Sequence, residues 1–168
     1  LDALKKYFHS PKSIELIILG DTYHRYEYLL DQLKNTAKLC DFKVSFYPFV
    51  IDPSNYFVNC DVVLVPSTSP EPFGRVAIEA FSYGRPVIAA NHGGITEVVT
   101  HNKTGYLFEP NNPQSLVKYI KKYIEKNIHE RQIISQNARE RFNLFFTEEK
   151  YTAAMINILL QNDDGTKQ

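Results

Sequence analysis

Residues 61–90 read Asp61-Val62-Val63-Leu64-Val65-Pro66-Ser67-Thr68-Ser69-Pro70-Glu71-Pro72-Phe73-Gly74-Arg75-Val76-Ala77-Ile78-Glu79-Ala80-Phe81-Ser82-Tyr83-Gly84-Arg85-Pro86-Val87-Ile88-Ala89-Ala90. A β-branched apolar run ends at Pro66, a proline-rich loop follows, and an apolar helical segment reaches Gly84. Gly84-Arg85-Pro86 then supplies a helix stop and a strand start within three residues. Val87 to Ala90 opens a second uninterrupted apolar run. Apolar runs without alternation, joined through a helix, predict parallel strands buried on both faces.

The same alternation extends outward. Ile14 to Leu19 is another such run, closed by Gly20, and Gly105 to Phe108 is a fourth, between Lys103-Thr104 and Pro110. Tyr26 to Leu39 carries apolar residues at 26, 29, 30, 33 and 37, which is helical spacing. Val44-Ser45-Phe46-Tyr47 alternates like a half-buried or edge strand. After Pro113 the chain turns helical, with Leu116, Ile120 and Ile124 on one stripe, then Gln132 to Phe145 and Tyr151 to Leu160. Strands alternating with helices predict an α/β fold, a doubly wound parallel sheet with right-handed crossovers and helices on both faces. Sheets of this kind bind ligands at the carboxyl ends of their strands.

The chain has 168 residues, 43% hydrophobic and 23% charged, with 19 basic residues against 19 acidic ones. Folding should bury roughly two thirds of the surface that the unfolded chain exposes, enough for a core without disulfides. Residues 1–160 are expected to form a single domain, followed by a disordered tail over 161–168. Leu1, Leu4 and Phe8 read as the middle of a helix, with no initiator Met and no strand before it, so the chain is expected to be a fragment that lacks its first strand and a partner domain. Balanced charge offers no field for a nucleic-acid backbone, and no nucleic acid is expected as a partner. No apolar run approaches the ~20 residues that cross a bilayer, and the N-terminus lacks a signal-peptide pattern, so a cytoplasmic location is expected. Cys40 and Cys60 are expected to be reduced, buried thiols.

In the loop after Pro66, Pro72 cannot donate a hydrogen bond and Gly74 has no side chain, so the turn opens the following amides toward the space above the strand ends. That suits an anion at a helix N-terminus. Glu71, beside such an anion, either bonds sugar hydroxyls or is a solvated loop or cap acid. Glu79 interrupts an apolar stretch, and a lone buried carboxylate needs a partner. It either pairs with a core Arg or Lys or, about 7.5 Å along the helix from Gly74, accepts from two vicinal ribose hydroxyls.

Glu71-Pro-Phe-Gly-Arg-Val-Ala-Ile-Glu79, with seven residues between the two glutamates, resembles the E-x7-E signature of retaining glycosyltransferases of the GT-B fold, the group 1 or family 4 type. Asp61 to Ser67 before it, Gly84 to Ala89 and Gly93-Gly94-Ile95-Thr96-Glu97 after it, Thr104 to Phe108, and Asn112 to Leu116 match further blocks in order, over about residues 14 to 125. The resemblance implies a Rossmann-like domain, the C-terminal half of a GT-B enzyme, that binds a UDP- or GDP-sugar donor and works with an N-terminal acceptor domain. It implies that Glu71 is the catalytic residue, contacting the donor sugar near the reacting centre. Amides of Phe73, Gly74, Arg75 and Val76 would line the sugar and diphosphate, and Glu79 would take the ribose. It also implies retaining hexosyl transfer to a glycan or lipid-linked acceptor, as in polysaccharide biosynthesis, without a cofactor or metal. No Asp-x-Asp pair accompanies these blocks. The missing domain would carry any attachment to the inner face of a membrane.

The pattern has departures. The Arg and Lys that clamp the diphosphate in the family would precede Leu1, so the fragment alone is expected to bind donor weakly and to be inactive. Gly20-Asp21-Thr22 stands where the family has Gly-x-Gly, and no glycine accompanies Tyr47-Pro48-Phe49. His92, in Asn91-His92-Gly93-Gly94 at a strand end, either approaches the donor or is a turn histidine. Arg75 either offers a cation to phosphate or faces solvent. Glu97 is expected to satisfy backbone donors in its loop, and His9, His24, His101 and His129 to be surface residues. Tyr23 and Tyr26 either stack on a base or pack on a helix face. The final helix is expected to pack on the missing domain and otherwise to leave an apolar patch open. Two other readings compete: a nucleotide-sugar epimerase of the same architecture, and a non-catalytic flavodoxin-like or receiver-like module. The last would need an acidic phospho-acceptor at a strand end with a lysine opposite, or a flavin phosphate loop. Asp21 and Asp61 lie near a strand end and a strand start without a matching set.

Overall fold

Strands and helices alternate along the chain as the apolar runs require: α1 (Asp2–Tyr7), β1 (Glu15–Leu19), α2 (Glu27–Ala37), β2 (Lys43–Tyr47), α3 (Ser54–Asn59), β3 (Val63–Val65), α4 (Arg75–Ser82), β4 (Val87–Ala90), α5 (Ile95–Val98), β5 (Gly105–Phe108), α6 (Pro113–Ile124), α7 (Ile128–Phe145) and α8 (Glu148–Asp163). The computed structural model describes residues 1–8, 14–22 and 24–163. His9, Tyr23 and the end of the tail expected to be disordered, 164–168, lie outside the described residues. The fold is α/β and Rossmann-like, with parallel strands throughout. It falls into two compact units, Leu1–Asn55 and Tyr56–Gln168.

In the second unit β3, β4 and β5 lie side by side, with Val63 opposite Val87 and Val87 opposite Gly105. Central strand β4 is buried at every residue. The small Ala89 and Ala90 at its end fit where helices press close. α4 packs on β3, β4 and α7, while α6 packs on β4 and β5. Ala77, Ala80, Phe81, Val87, Ala89, Ile95, Val98, Val99 and Ala138 form the centre of the core.

The ends of these helices are closed chemically. Gly84 adopts φ +65, and its amide and that of Arg85 donate to Phe81 O and Ala80 O, both at 2.9 Å. This Schellman closure is the stop read at Gly84-Arg85-Pro86. α6 opens with Pro113 behind Asn112, whose Oδ1 accepts from the Ser115 amide at 3.0 Å. α7 begins four residues before the expected Gln132, because Asn127 and Glu130 form a reciprocal capping box on a polar stretch that shows no apolar period.

The first unit pairs β1 with β2 in parallel, from Glu15 opposite Lys43 to Leu19 opposite Tyr47. Glu15 Oε1 takes Lys43 Nζ at 2.7 Å and the Ser45 hydroxyl at 3.0 Å. Leu4 and Phe42 are its buried apolar residues among those described. β1, expected to be buried on both faces, consists of exposed and half-buried residues instead. The stripe of α2 is also open, with Tyr26, Leu29 and Leu33 exposed. Composition records what a strand needs, not what covers it, and among the described residues β1 pairs with β2 alone. α8 likewise shows Tyr151, Met155, Ile158 and Leu159 to solvent. No helix among the described residues is long and apolar enough to cross a membrane.

Tyr123 on α6 is 3% exposed and donates its hydroxyl to Asp61 O at 2.8 Å. Burial, with the Asp61 charge adding to it, pushes the phenol up to about 12 from an ordinary value of 10. A neutral form favoured by folding stabilises below the unfolded value and is lost as pH rises through the folded one. Denaturant unfolding should therefore show stability falling between about pH 10 and 12, and Tyr123→Phe should flatten part of that fall while costing about 1 kcal/mol at pH 7. An unchanged alkaline slope in the variant would contradict this.

Candidate functional site

The loops after β3 and after β4 meet at the carboxyl ends of these neighbouring strands. The Gly94 amide donates to Glu71 O at 2.7 Å, and Glu71 and Gly93 form an isolated parallel bridge. The approach leaves no room for a side chain. A Cβ on Gly93 would sit 2.4 Å from Glu71 O, and one on Gly94 2.3 Å from Pro72 O. The Ser67 hydroxyl donates to Glu71 Oε2 at 3.3 Å, and His92 Nε2 lies 3.0 Å from Ser67 O. Because a carbonyl only accepts, His92 carries its proton on Nε2 in this contact, which leaves Nδ1 as an acceptor when the ring is neutral.

The loop then turns through Gly74, at φ +76, into α4. No side chain caps this helix, and the first intrahelical bonds run from Ala77 and Ile78 back to Gly74 O. The amides of Arg75 and Val76 precede those bonds and belong to the unsatisfied donors of a helix start. Phe73 and Val76 are exposed, whereas Gly74 is buried against Ile95.

The structure thus joins Glu71 and His92 through Ser67. It sets Arg75 and Glu79 together on one face of α4, with Arg75 Nη2 3.8 Å from Glu79 Oε1. Glu79 is not the buried lone carboxylate that its apolar neighbours suggested. Its side chain is 43% exposed, and its partner is the 81% exposed Arg75 rather than a core cation. Such an open i,i+4 pair holds about 0.3–0.5 kcal/mol and yields readily to a ligand.

Other expected placements change. His101, expected at the surface, is half-buried, stacks edge-on against Tyr106 and Tyr119, and accepts the Leu107 amide on Nδ1 at 3.0 Å. Burial and then the nearby Lys122 pull its pKa down, so it stays a neutral acceptor. Glu97 is exposed, and its main-chain carbonyl is what is engaged, by Arg141. Asp21 accepts the Phe49 amide at 2.9 Å, so its carboxylate ties the loop after β1 to the loop after β2. Cys40 and Cys60 are free but half-buried rather than buried. Tyr26 precedes α2 with its ring exposed, tilted against Tyr28, while His24 and His129 are exposed as expected. Ser67 gave no signal in the sequence, because a hydroxyl four residues before a carboxylate in a proline-rich loop follows no period. Two hollows lie elsewhere, in the first unit, along Asp2, Lys5 and Asp41 and along Lys34, Lys38 and Phe46.

The family described as Glycosyl transferases group 1 matches residues 1–141. This chain belongs to that family. The chain is 32% identical over 148 residues to the lipopolysaccharide 1,2-N-acetylglucosaminetransferase of Salmonella typhimurium, a match over 83% of this chain and 38% of that protein. It is 36% identical over 102 residues to the D-inositol 3-phosphate glycosyltransferase of Paenarthrobacter aurescens, covering 60% of this chain and 24% of the relative. Among solved structures, Anabaena Alr3699/HepE in complex with UDP and glucose superposes with a TM-score of 0.85 at 31% identity, over 95% of this chain and 43% of that one. The chain therefore spans less than half the length of each of these proteins.

Gly94→Ala should disrupt the contact between the two loops at a cost of about 1–3 kcal/mol, since Pro72 O must move. Thermal denaturation checks this, and a variant as stable as the parent would contradict the close approach.

Proposed function

We propose that this chain is the C-terminal, donor-binding domain of a retaining hexosyltransferase that takes a sugar from a UDP- or GDP-sugar and passes it to a glycan or lipid-linked acceptor. The observation that carries the reading is the pair of laced loops at the strand ends. They set a carboxylate, Glu71, one turn ahead of a helix start whose first amides are open, with Glu79 further along the same helix. The family membership and the nucleotide named with the Anabaena relative, solved with UDP and glucose and with UDP-glucose, support it.

In this reading the amides of Phe73, Gly74, Arg75 and Val76 receive the sugar and diphosphate, where unpaired N–H groups and the helix dipole favour negative charge. Glu79 leaves Arg75 and accepts from two ribose hydroxyls, freeing the guanidinium for phosphate. Glu71, its carboxylate steadied by Ser67, bonds hydroxyls of the donor sugar, and His92 lines the same mouth. Retention requires attack from the face that the nucleotide leaves. The departing diphosphate then serves as the base, while the protein positions the reactants and stabilises the charge that develops. Glu71 is accordingly a binding and orienting group at the reacting sugar, not a nucleophile.

Calorimetric titration of the full-length enzyme with UDP, GDP and their glucose conjugates tests the assignment. Glu79→Gln should weaken one nucleotide class about tenfold or more, as expected for losing charge-assisted bonds of about 1.5–3 kcal/mol. Glu71→Gln should leave nucleotide affinity intact and slow sugar transfer about a hundredfold or more. Unchanged nucleotide binding in Glu79→Gln together with full activity in Glu71→Gln would overturn the reading.

A further inference from the structure

α5 is a single turn, Ile95–Val98, and such a segment has almost no stability of its own. It is fixed at both ends by groups distant in sequence. At its start, the Gly94 amide is bonded to Glu71 O, and Ile95 lies close enough to Gly74 that a Cβ on Gly74 would sit 3.2 Å from the Ile95 Cα. At its end, Arg141 of α7 donates from Nε to Val98 O at 2.6 Å and from Nη2 to Glu97 O at 2.5 Å. A planar fork thus closes two adjacent carbonyls that the helix end leaves without partners. The rings of Phe145 and Phe146 lie 5.2 and 5.9 Å from the same guanidinium and hold it in place.

We propose that Arg141 is a positioning residue for the reaction, acting through α5 to hold Gly93 and Gly94 against the backbone of Glu71. The proposal rests on the reading that Glu71 meets the reacting sugar. α5 also touches α4, at Gly74, but α4, which carries Glu79, is held chiefly by α7 and by the strands, so Glu79 depends less on this clamp than Glu71 does. Loss of the clamp should therefore loosen the sugar end of the site and spare the nucleotide end, which separates this role from a general loss of stability. Misplacement by about 1 Å at a reacting centre costs roughly a hundredfold in rate.

The test compares full-length wild type, Arg141→Ala and Arg141→Lys by three readouts: amide hydrogen exchange at Gly94, UDP affinity by calorimetry, and turnover of UDP-glucose to UDP and glucose in water. In Arg141→Ala, Gly94 should exchange at least tenfold faster while Ala89 in β4 keeps its rate. UDP affinity should stay within twofold, turnover should fall at least tenfold, and added methylguanidinium should restore part of it. Arg141→Lys, which keeps the charge but offers no fork, should fall between, and it decides the matter if the alanine variant does not fold. Unaltered exchange at Gly94 in a folded variant would overturn the proposal, as would turnover equal to wild type or a parallel loss of UDP affinity and turnover. A wild type that neither binds nor turns over donor would instead count against the functional reading, and Gly94 exchange would still judge the clamp.

Discussion

One backbone hydrogen bond, from the Gly94 amide to the Glu71 carbonyl, ties together the two loops on which the site depends. Loops at strand ends are ordinarily the mobile part of an α/β domain. Here the contact is close enough to exclude a Cβ at either Gly93 or Gly94, so the loop after β4 serves as a brace for the loop after β3. Ser67 and His92 extend the brace from backbone to side chain, and the Glu71 carboxylate inherits its orientation from them. The brace requires glycine for steric room, and in that sense two residues without side chains set the geometry of Glu71.

The rest of the second unit explains why that brace stays put. β4 is wholly buried and stands between β3 and β5, so the ends from which both loops depart are fixed by the most constrained strand of the sheet. α4 is held by its Schellman closure at one end and by α7 along its length, which leaves its N-terminal amides as the unpaired donors of an otherwise settled helix. Arg141 closes the far end of α5. Rigid support beneath an open set of amides and carboxylates is the arrangement that charge stabilisation needs, because donors already aimed need not reorganise.

The best-covered strands were the legible ones. Val87–Ala90 and Gly105–Phe108 have the bounds that their apolar runs and flanking Gly and Pro residues indicate. Ile14 to Leu19 has the same composition but not the same burial, because a parallel strand records its need for cover while the cover is supplied by other segments. Glu71 and Glu79 stood out through their resemblance to the E-x7-E signature, while the residues alone left each open between a ligand contact and a structural role. The exposure of Glu79 was not visible, since its apolar neighbours on α4 lie on more than one side of the helix and Arg75, four residues before it, draws it outward. His101 was misplaced because its partner is a main-chain amide in β5. Arg141 was silent because its two acceptors are carbonyls more than forty residues earlier, and carbonyls have no sequence.

The most direct measurement is the crystal structure of the full-length enzyme with UDP-glucose bound. The account predicts a diphosphate over the amides of Gly74, Arg75 and Val76, a ribose bonded by Glu79 with its pair to Arg75 broken, and hexose hydroxyls on Glu71 with the Gly94 to Glu71 bond intact. A donor bound away from the start of α4, or a ribose held by residues other than Glu79, would contradict it.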